Sequence, residues 1–234
     1  MQRIGVLGGI SAQATMDFEA RMHRVCQRLV PQDWNRGYPR MVVWYHRELP
    51  IRVDGDGRPI VPRQIDPGLL DAAAWLARAA DFLVIPCNSA HIGVRQIEAA
   101  AGCPVLSMVD STLNDIARLG WQAVGVLGFG GAPSVYVDPL SERGVRCVAI
   151  DASGQARLDA AIRAVMEGRD GGPDHEAALA AVDAVRARGV DGVVLGCTEI
   201  PLLLGEKGEA GDLINPAAVL AEAAVRRAQG AASR

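Results

Sequence analysis

Short apolar runs separated by helix-like stretches constrain this chain more than any other feature. RIGVLGG (3–9), RMVVWYH (40–46), DFLVIPC (81–87), CPVLSM (103–108), AVGVLGF (123–129), VRCVAI (145–150) and DGVVLGC (191–197) have the length and β-branched content of strands. Their apolar residues are nearly continuous, as expected of parallel strands covered on both faces, and the intervening stretches are long enough for crossover helices. The fold class is therefore α/β, mostly parallel sheet flanked by helices.

The alternation repeats. IGVLGG at 4–9 resembles VGVLGF at 124–129, and DFLVIPCNSA at 81–90 resembles DGVVLGCTEI at 191–200, with offsets of 120 and 110 residues. Element order is kept while loop lengths differ, which indicates two pseudo-symmetric α/β domains, 1–108 and 109–214. A final helix from about Pro216 to Gln229, with Asn215 suited to its cap and Pro216 to its first position, is expected to rejoin the first domain as part of 215–234. Two such domains are expected to face each other across a cleft that houses the active site.

Each half ends a strand-like run on a cysteine trailed by small polar residues: Cys87 before Asn88 and Ser89, Cys197 before Thr198 and Glu199. Ligands of open α/β sheets bind beyond the carboxyl ends of the strands, where helix-end N–H groups favour a thiolate. Two weak bases flanking one carbon suit removal of a proton from one face and delivery to the other, which is racemisation or epimerisation. The neighbouring hydroxyl and N–H groups suit a substrate carboxylate and developing enolate charge.

Composition removes competing chemistries. Of the 24 basic residues 23 are arginine, and Lys207, the single lysine, lies in the polar GEKGEAGD loop, so a pyridoxal Schiff base has no good anchor. The five cysteines (26, 87, 103, 147, 197) form no C-x-x-C pair and read as reduced thiols, with Cys26, Cys103 and Cys147 structural. His91 lies four residues after Cys87 but finds no second ligand pair, so no metal site is expected. A net charge of -3 without basic clusters gives neither a nucleic-acid nor a membrane footprint, and the N-terminus resembles neither a signal peptide nor a membrane span. A cytoplasmic small-molecule enzyme without cofactor is the expectation. GVLGG and GVLGFGG miss the dinucleotide spacing, and DGDGRP (54–59) lacks the ligands of a calcium loop, reading instead as a polar turn and a lid beside Arg52.

GVLGGISAQAT, PCNSAH (86–91) and GCTEIPLLL (196–204), the two cysteine motifs in order and about one domain apart, resemble the aspartate/glutamate racemase family, the pyridoxal-phosphate-independent amino-acid racemases. The resemblance runs from the first strand to INPAAVLA (214–221). It implies that Cys87 and Cys197 are the catalytic acid/base thiols, that Asn88, Ser89 and Thr198 hold the substrate's carboxylate and amino group, and that Thr15 lines the site. Members acting on aspartate carry a segment near N-x-x-I-P-D-R-T, and HRELPIRV (46–53) keeps its arginine as Arg52, suited to grip a carboxylate, while His46, Ile51 and Val53 depart from it.

The distal-carboxylate lysine of aspartate racemases is absent from AIRAVMEGRDGG, where Arg163 or Arg169 are the available cations; this counts against aspartate as substrate. His46 and Glu199 are possible supporting residues. The expected function is a cofactor-independent racemase or epimerase of an amino acid or related carboxylate, with a homodimer as a possible assembly. A maleate-type isomerase, a hydantoin racemase, a malonate-type decarboxylase or a noncatalytic carboxylate-binding protein are the alternatives.

Overall fold

The computed structural model describes residues 1–54, 60, 61 and 63–230. The chain divides into two compact units, 1–108 with 217–234, and 109–216. The lid reading of DGDGRP lies outside the described residues beyond Asp54.

In the first unit β1 (Ile4–Gly8), β2 (Met41–Tyr45), β3 (Phe82–Val84) and β4 (Val105–Leu106) form one parallel sheet in the order β2-β1-β3-β4. In the second, β5 (Ala123–Leu127), β6 (Arg146–Val148), β7 (Gly192–Leu195) and β8 (Leu213–Ile214) form another in the order β6-β5-β7-β8. The sheets are the same design twice. Central strands β1 and β7 are buried at every residue, which is why they read as unbroken apolar runs, whereas edge strands β2 and β6 are half-buried. β8 is too short for its apolar run to stand out in the sequence.

Helices cover the sheets. α1 (Ala12–Leu29) starts at Ser11, whose hydroxyl caps Ala14 N–H, and buries Ala14, Phe18, Met22 and Cys26 at helical spacing. α2 (Pro67–Ala77) is capped by Asp66, and α3 (Val94–Ala101) stops at the left-handed Gly102. α4 (Met108–Leu119) opens the second unit. There α5 (Ser134–Glu142), α6 (Ala152–Met166, capped by Asp151), α7 (Gly172–Arg186) and the short α8 (Ile200–Leu204) come next in chain order. α9 (Pro216–Ala228) returns to the first unit, where Leu220, Ala221, Ala224 and Val225 pack with Ile4, Val6, Phe18, Met22 and Phe82. No helix among the described residues is long and apolar enough to cross a membrane.

One polar device is shared. Asp81, leading into β3, accepts Arg3 N–H at 2.7 Å and pairs with the Arg3 guanidinium, while Asp191, leading into β7, accepts Gln122 and Ala123 N–H at 2.7 and 2.9 Å. Each carboxylate ties the entry of the third strand in its unit to the entry of the first. These hydrogen bonds hold Asp81 down at about 2, and they lower Asp191 in the same way.

Candidate active site

The sequence places Cys87 at a strand end, but the ladder of β3 stops at Val84, paired with Val6 and Leu106, and Cys87 lies three residues further on. Pro86 has no N–H to offer the ladder, and β4 contributes only two residues for pairing, so the chain leaves the sheet early. Cys197 stands two residues past the end of β7. Beyond Cys87 the chain enters a 3-10 segment, Ser89–Gly93, and α3 begins only after it. The helix-dipole contribution expected at the thiol is correspondingly reduced.

Around Cys87 the turn is held by hydrogen bonds. Cys87 N–H donates to Ile85 O at 2.8 Å, and the thiol lies 3.3 Å from the exposed Ser89 hydroxyl. Buried His91 donates from Nδ1 to Cys87 O at 2.8 Å and accepts Met108 N–H at Nε2 at 3.0 Å. A carbonyl can only accept and an amide N–H can only donate, so both bonds require one tautomer, neutral and protonated at Nδ1. His91 thus fixes the turn that aims Cys87. Asn88 is buried, and its carbonyl accepts His91 N–H.

In the same unit the β1–α1 turn is closed by Thr15, whose hydroxyl accepts Gly9 N–H and donates to Ser11 O, both at 2.8 Å. Thr15 is 1% exposed, and its only hydroxyl hydrogen is committed to the turn. Gly9 sits at φ 76°, where a Cβ would strike the Tyr45 backbone, so the close turn requires glycine. His46, buried after β2, donates its backbone N–H to Gly8 O at 2.8 Å, and its Nε2 lies 3.6 Å from Asp66 Oδ1. Arg52 is exposed and extends along a neck in which Asp66 N–H donates to Pro50 O and Arg52 N–H to Gln64 O; its guanidinium donates to Gln64 Oε1 at 2.9 Å.

In the second unit Cys197 has a different partner. Its thiol donates to Glu199 Oε2 at 2.9 Å, and the buried Thr198 hydroxyl donates to the same oxygen at 3.3 Å. Glu199 is 1% exposed, and its other oxygen, Oε1, has no hydrogen-bond partner among the described residues. A buried, half-satisfied carboxyl is costly and is characteristic of functional sites.

The loop after β5 forms the adjoining wall. Gly196 N–H donates to Leu127 O at 2.7 Å, and a Cβ on Gly196 would come within 3.1 Å of Pro133. This loop is pinned from α6: Gln155 Nε2 donates to Gly128 O and to Asp159 Oδ1, at 2.8 and 2.7 Å, and Gly130 N–H donates to Asp159 Oδ1 at 2.8 Å. Nothing in the sequence pattern singles out Gln155 or Asp159, because the helix carrying them is far along the chain from the loop. Of the cations considered for the missing lysine, Arg169 pairs with Glu167, and Arg163 is exposed on α6.

The remaining thiols differ in character. Burial pushes the thiols of Cys26, Cys103 and Cys147 up, away from the thiolate form. Among the described residues no group of three or more His, Cys, Asp or Glu side chains is placed to hold a metal ion.

Two like parallel units, each with a cysteine-led turn beyond the carboxyl end of its sheet, define an α/β protein built on internal duplication. The sequence profile of the Asp/Glu/Hydantoin racemase family matches residues 7–224, and the chain belongs to that family. Broad specificity amino-acid racemase RacX of Bacillus subtilis is 32% identical over 126 residues, which is 53% of this chain and 53% of RacX, so the match spans about half the length of that relative. Among solved structures, the aspartate racemase of Picrophilus torridus superposes with a TM-score of 0.78 at 22% identity, covering 98% of this chain and 95% of that one. An aspartate racemase homologue from Pyrococcus horikoshii gives 0.73 at 19% identity, covering 98% and 100%. These two likenesses establish the fold.

Proposed function

We propose that the chain is a cofactor-independent racemase or epimerase of an amino acid or related carboxylate, with Cys87 and Cys197 as its two acid/base thiols. The observation that carries this reading is the matched placement of the two thiols beyond β3 and β7, equivalent strands of two sheets with the same order, each with an oxygen partner two residues on. Family membership supports an isomerase, and the name of RacX supports an amino acid as substrate.

The reaction requires both thiols to reach one α-carbon. A thiolate on one face takes the α-hydrogen as a proton: the Cα–H bond breaks, its electrons pass into the enolate, and an S–H bond forms. The opposite thiol gives its proton to the other face, leaving a thiolate, and the roles exchange for the reverse direction. No net oxidation occurs and no other reactant is consumed.

Ser89 lies within hydrogen-bond distance of the Cys87 sulfur and can stabilise its thiolate. Glu199 Oε2 accepts a hydrogen bond from the Cys197 thiol and orients it. Arg52 is assigned to the substrate carboxylate, with Gln64 steadying the guanidinium. Asn88, Ser89 and Thr198 complete the polar lining, and Thr15 shapes the turn after β1. The proposed chemistry needs both thiols reduced, which fits a reducing, cytoplasmic setting.

Proton NMR in D2O tests the reading. The purified protein is expected to wash out the α-proton of a single-enantiomer amino acid while the other enantiomer accumulates, without added cofactor. Exchange that persists undiminished in Cys87→Ala or Cys197→Ala removes the two-base mechanism.

A further inference from the structure

Resting on the two-thiol reading, we propose that Glu199 holds Cys197 in its thiol form, so that the free enzyme carries its thiolate at Cys87 and has a built-in polarity. The repeat isolates the difference. Two residues beyond Cys87 stands Ser89, whose neutral hydroxyl lies 3.3 Å from the sulfur; two residues beyond Cys197 stands a carboxyl, with Oε2 2.9 Å from the sulfur. The same place after the same strand is neutral in one unit and acidic in the other.

The surroundings of Glu199 give that acid its force. It is 1% exposed, Oε2 takes hydrogens from the Cys197 thiol and the Thr198 hydroxyl, and Oε1 has no hydrogen-bond partner among the described residues. No cationic side chain among the described residues pairs with it. At a carboxyl this shielded from water, a sulfur that lost its proton would face a carboxylate oxygen across 2.9 Å, and two negative charges so placed repel strongly. At Cys87 the Ser89 hydroxyl can instead donate to a thiolate, which favours that form.

A direction of turnover follows. The substrate enantiomer whose α-hydrogen faces Cys87 meets a ready base, and Cys197 supplies a proton to the other face. The thiolate then left beside Glu199 regains a proton in one of two ways. It takes one from the α-carbon of the opposite enantiomer, with the Cys87 proton passing to that carbon's other face, or it takes one from water, with the Cys87 proton released to water. The opposite enantiomer is thus served only by the minor form of the free enzyme. Glu199 acts through Cys197 and is a positioning residue.

The test reads the thiols without turnover, so its outcome is separate from the α-proton exchange that tests the racemase reading. Iodoacetamide is added at neutral pH to the reduced wild type and to Glu199→Gln, and alkylation of Cys87 and of Cys197 is followed by peptide mass spectrometry. Cys87 is expected to react faster than Cys197 in the wild type. In Glu199→Gln the rate at Cys197 is expected to rise about tenfold or more, with Cys87 unchanged. Cys197 reacting faster than Cys87 in the wild type, or at an unchanged rate in Glu199→Gln, overturns the assignment.

A second measurement leaves Glu199 in place. Burial pushes Cys26, Cys103 and Cys147 away from the thiolate form, so the ultraviolet thiolate absorbance at neutral pH reports Cys87 and Cys197. It is expected to vanish in Cys87→Ala and to survive in Cys197→Ala. No such absorbance in the wild type, its persistence in Cys87→Ala or its loss in Cys197→Ala overturns the proposal, even where Glu199→Gln fails to fold.

Discussion

At Cys197 the thiol proton already has an acceptor, while at Cys87 the sulfur faces a hydroxyl, so the two acid/base groups of the proposed reaction are chemically unequal. Cys87→Ala and Cys197→Ala are each expected to lower kcat about 10²–10⁴-fold, the usual worth of a positioned acid or base, as measured by circular dichroism of the racemising substrate. Glu199 carries the cost of this arrangement, because Oε1 is buried without a partner among the described residues. Glu199→Met is therefore expected to raise Tm while cutting kcat by roughly tenfold or more, a trade of activity for stability seen in thermal melts and turnover together. The cysteines and their polar neighbours were legible in the sequence because the motif recurs. Gln155 and Asp159 were not, since their relation to the loop at 128–130 exists only after α6 packs onto it.

Among the elements, the entry aspartates show how a repeat can carry information that periodicity misses. DFLV and DGVV both begin with aspartate; apolar patterning located β3 and β7, yet only the folded sheet reveals Asp81 and Asp191 as ties to β1 and β5. Asp81 sits at about 2 in the folded chain, below the ordinary aspartate value, so its tie supports stability above that ordinary value and is lost as pH falls through the folded one. Asp81→Asn is expected to flatten the acid limb of stability between about pH 4 and pH 2, measured by urea unfolding at stepped pH. The Cys87 turn belongs to this scale too. Pro86 ends the strand before the thiol, a boundary that an apolar run alone does not disclose, and His91 supplies the bracing. His91→Ala removes the side-chain acceptor of buried Met108 N–H and should cost about 1–3 kcal/mol in chemical denaturation.

For the whole molecule, the parallel α/β class and the doubled design were readable because buried parallel strands leave unbroken apolar runs, while the two-residue strands β4 and β8 sit at the lower limit of any such signal. The core of the first unit is assembled from sequence-distant parts: Leu220, fully buried on α9, packs in the cluster of Ile4 and Phe18. Leu220→Ala is expected to destabilise by about 2–5 kcal/mol in urea unfolding, the range for a buried leucine cavity, and to do so in the unit that holds β1. During synthesis, a first sheet begun at Ile4 must wait for α9 until the whole second unit, residues 109–216, has been translated. At ordinary elongation rates that interval is roughly 5–20 s, long against the folding of a small domain. The nascent first half thus exposes an apolar stripe to chaperones until the last helix closes it, and a circular permutant that places α9 ahead of β1 would shorten that exposure.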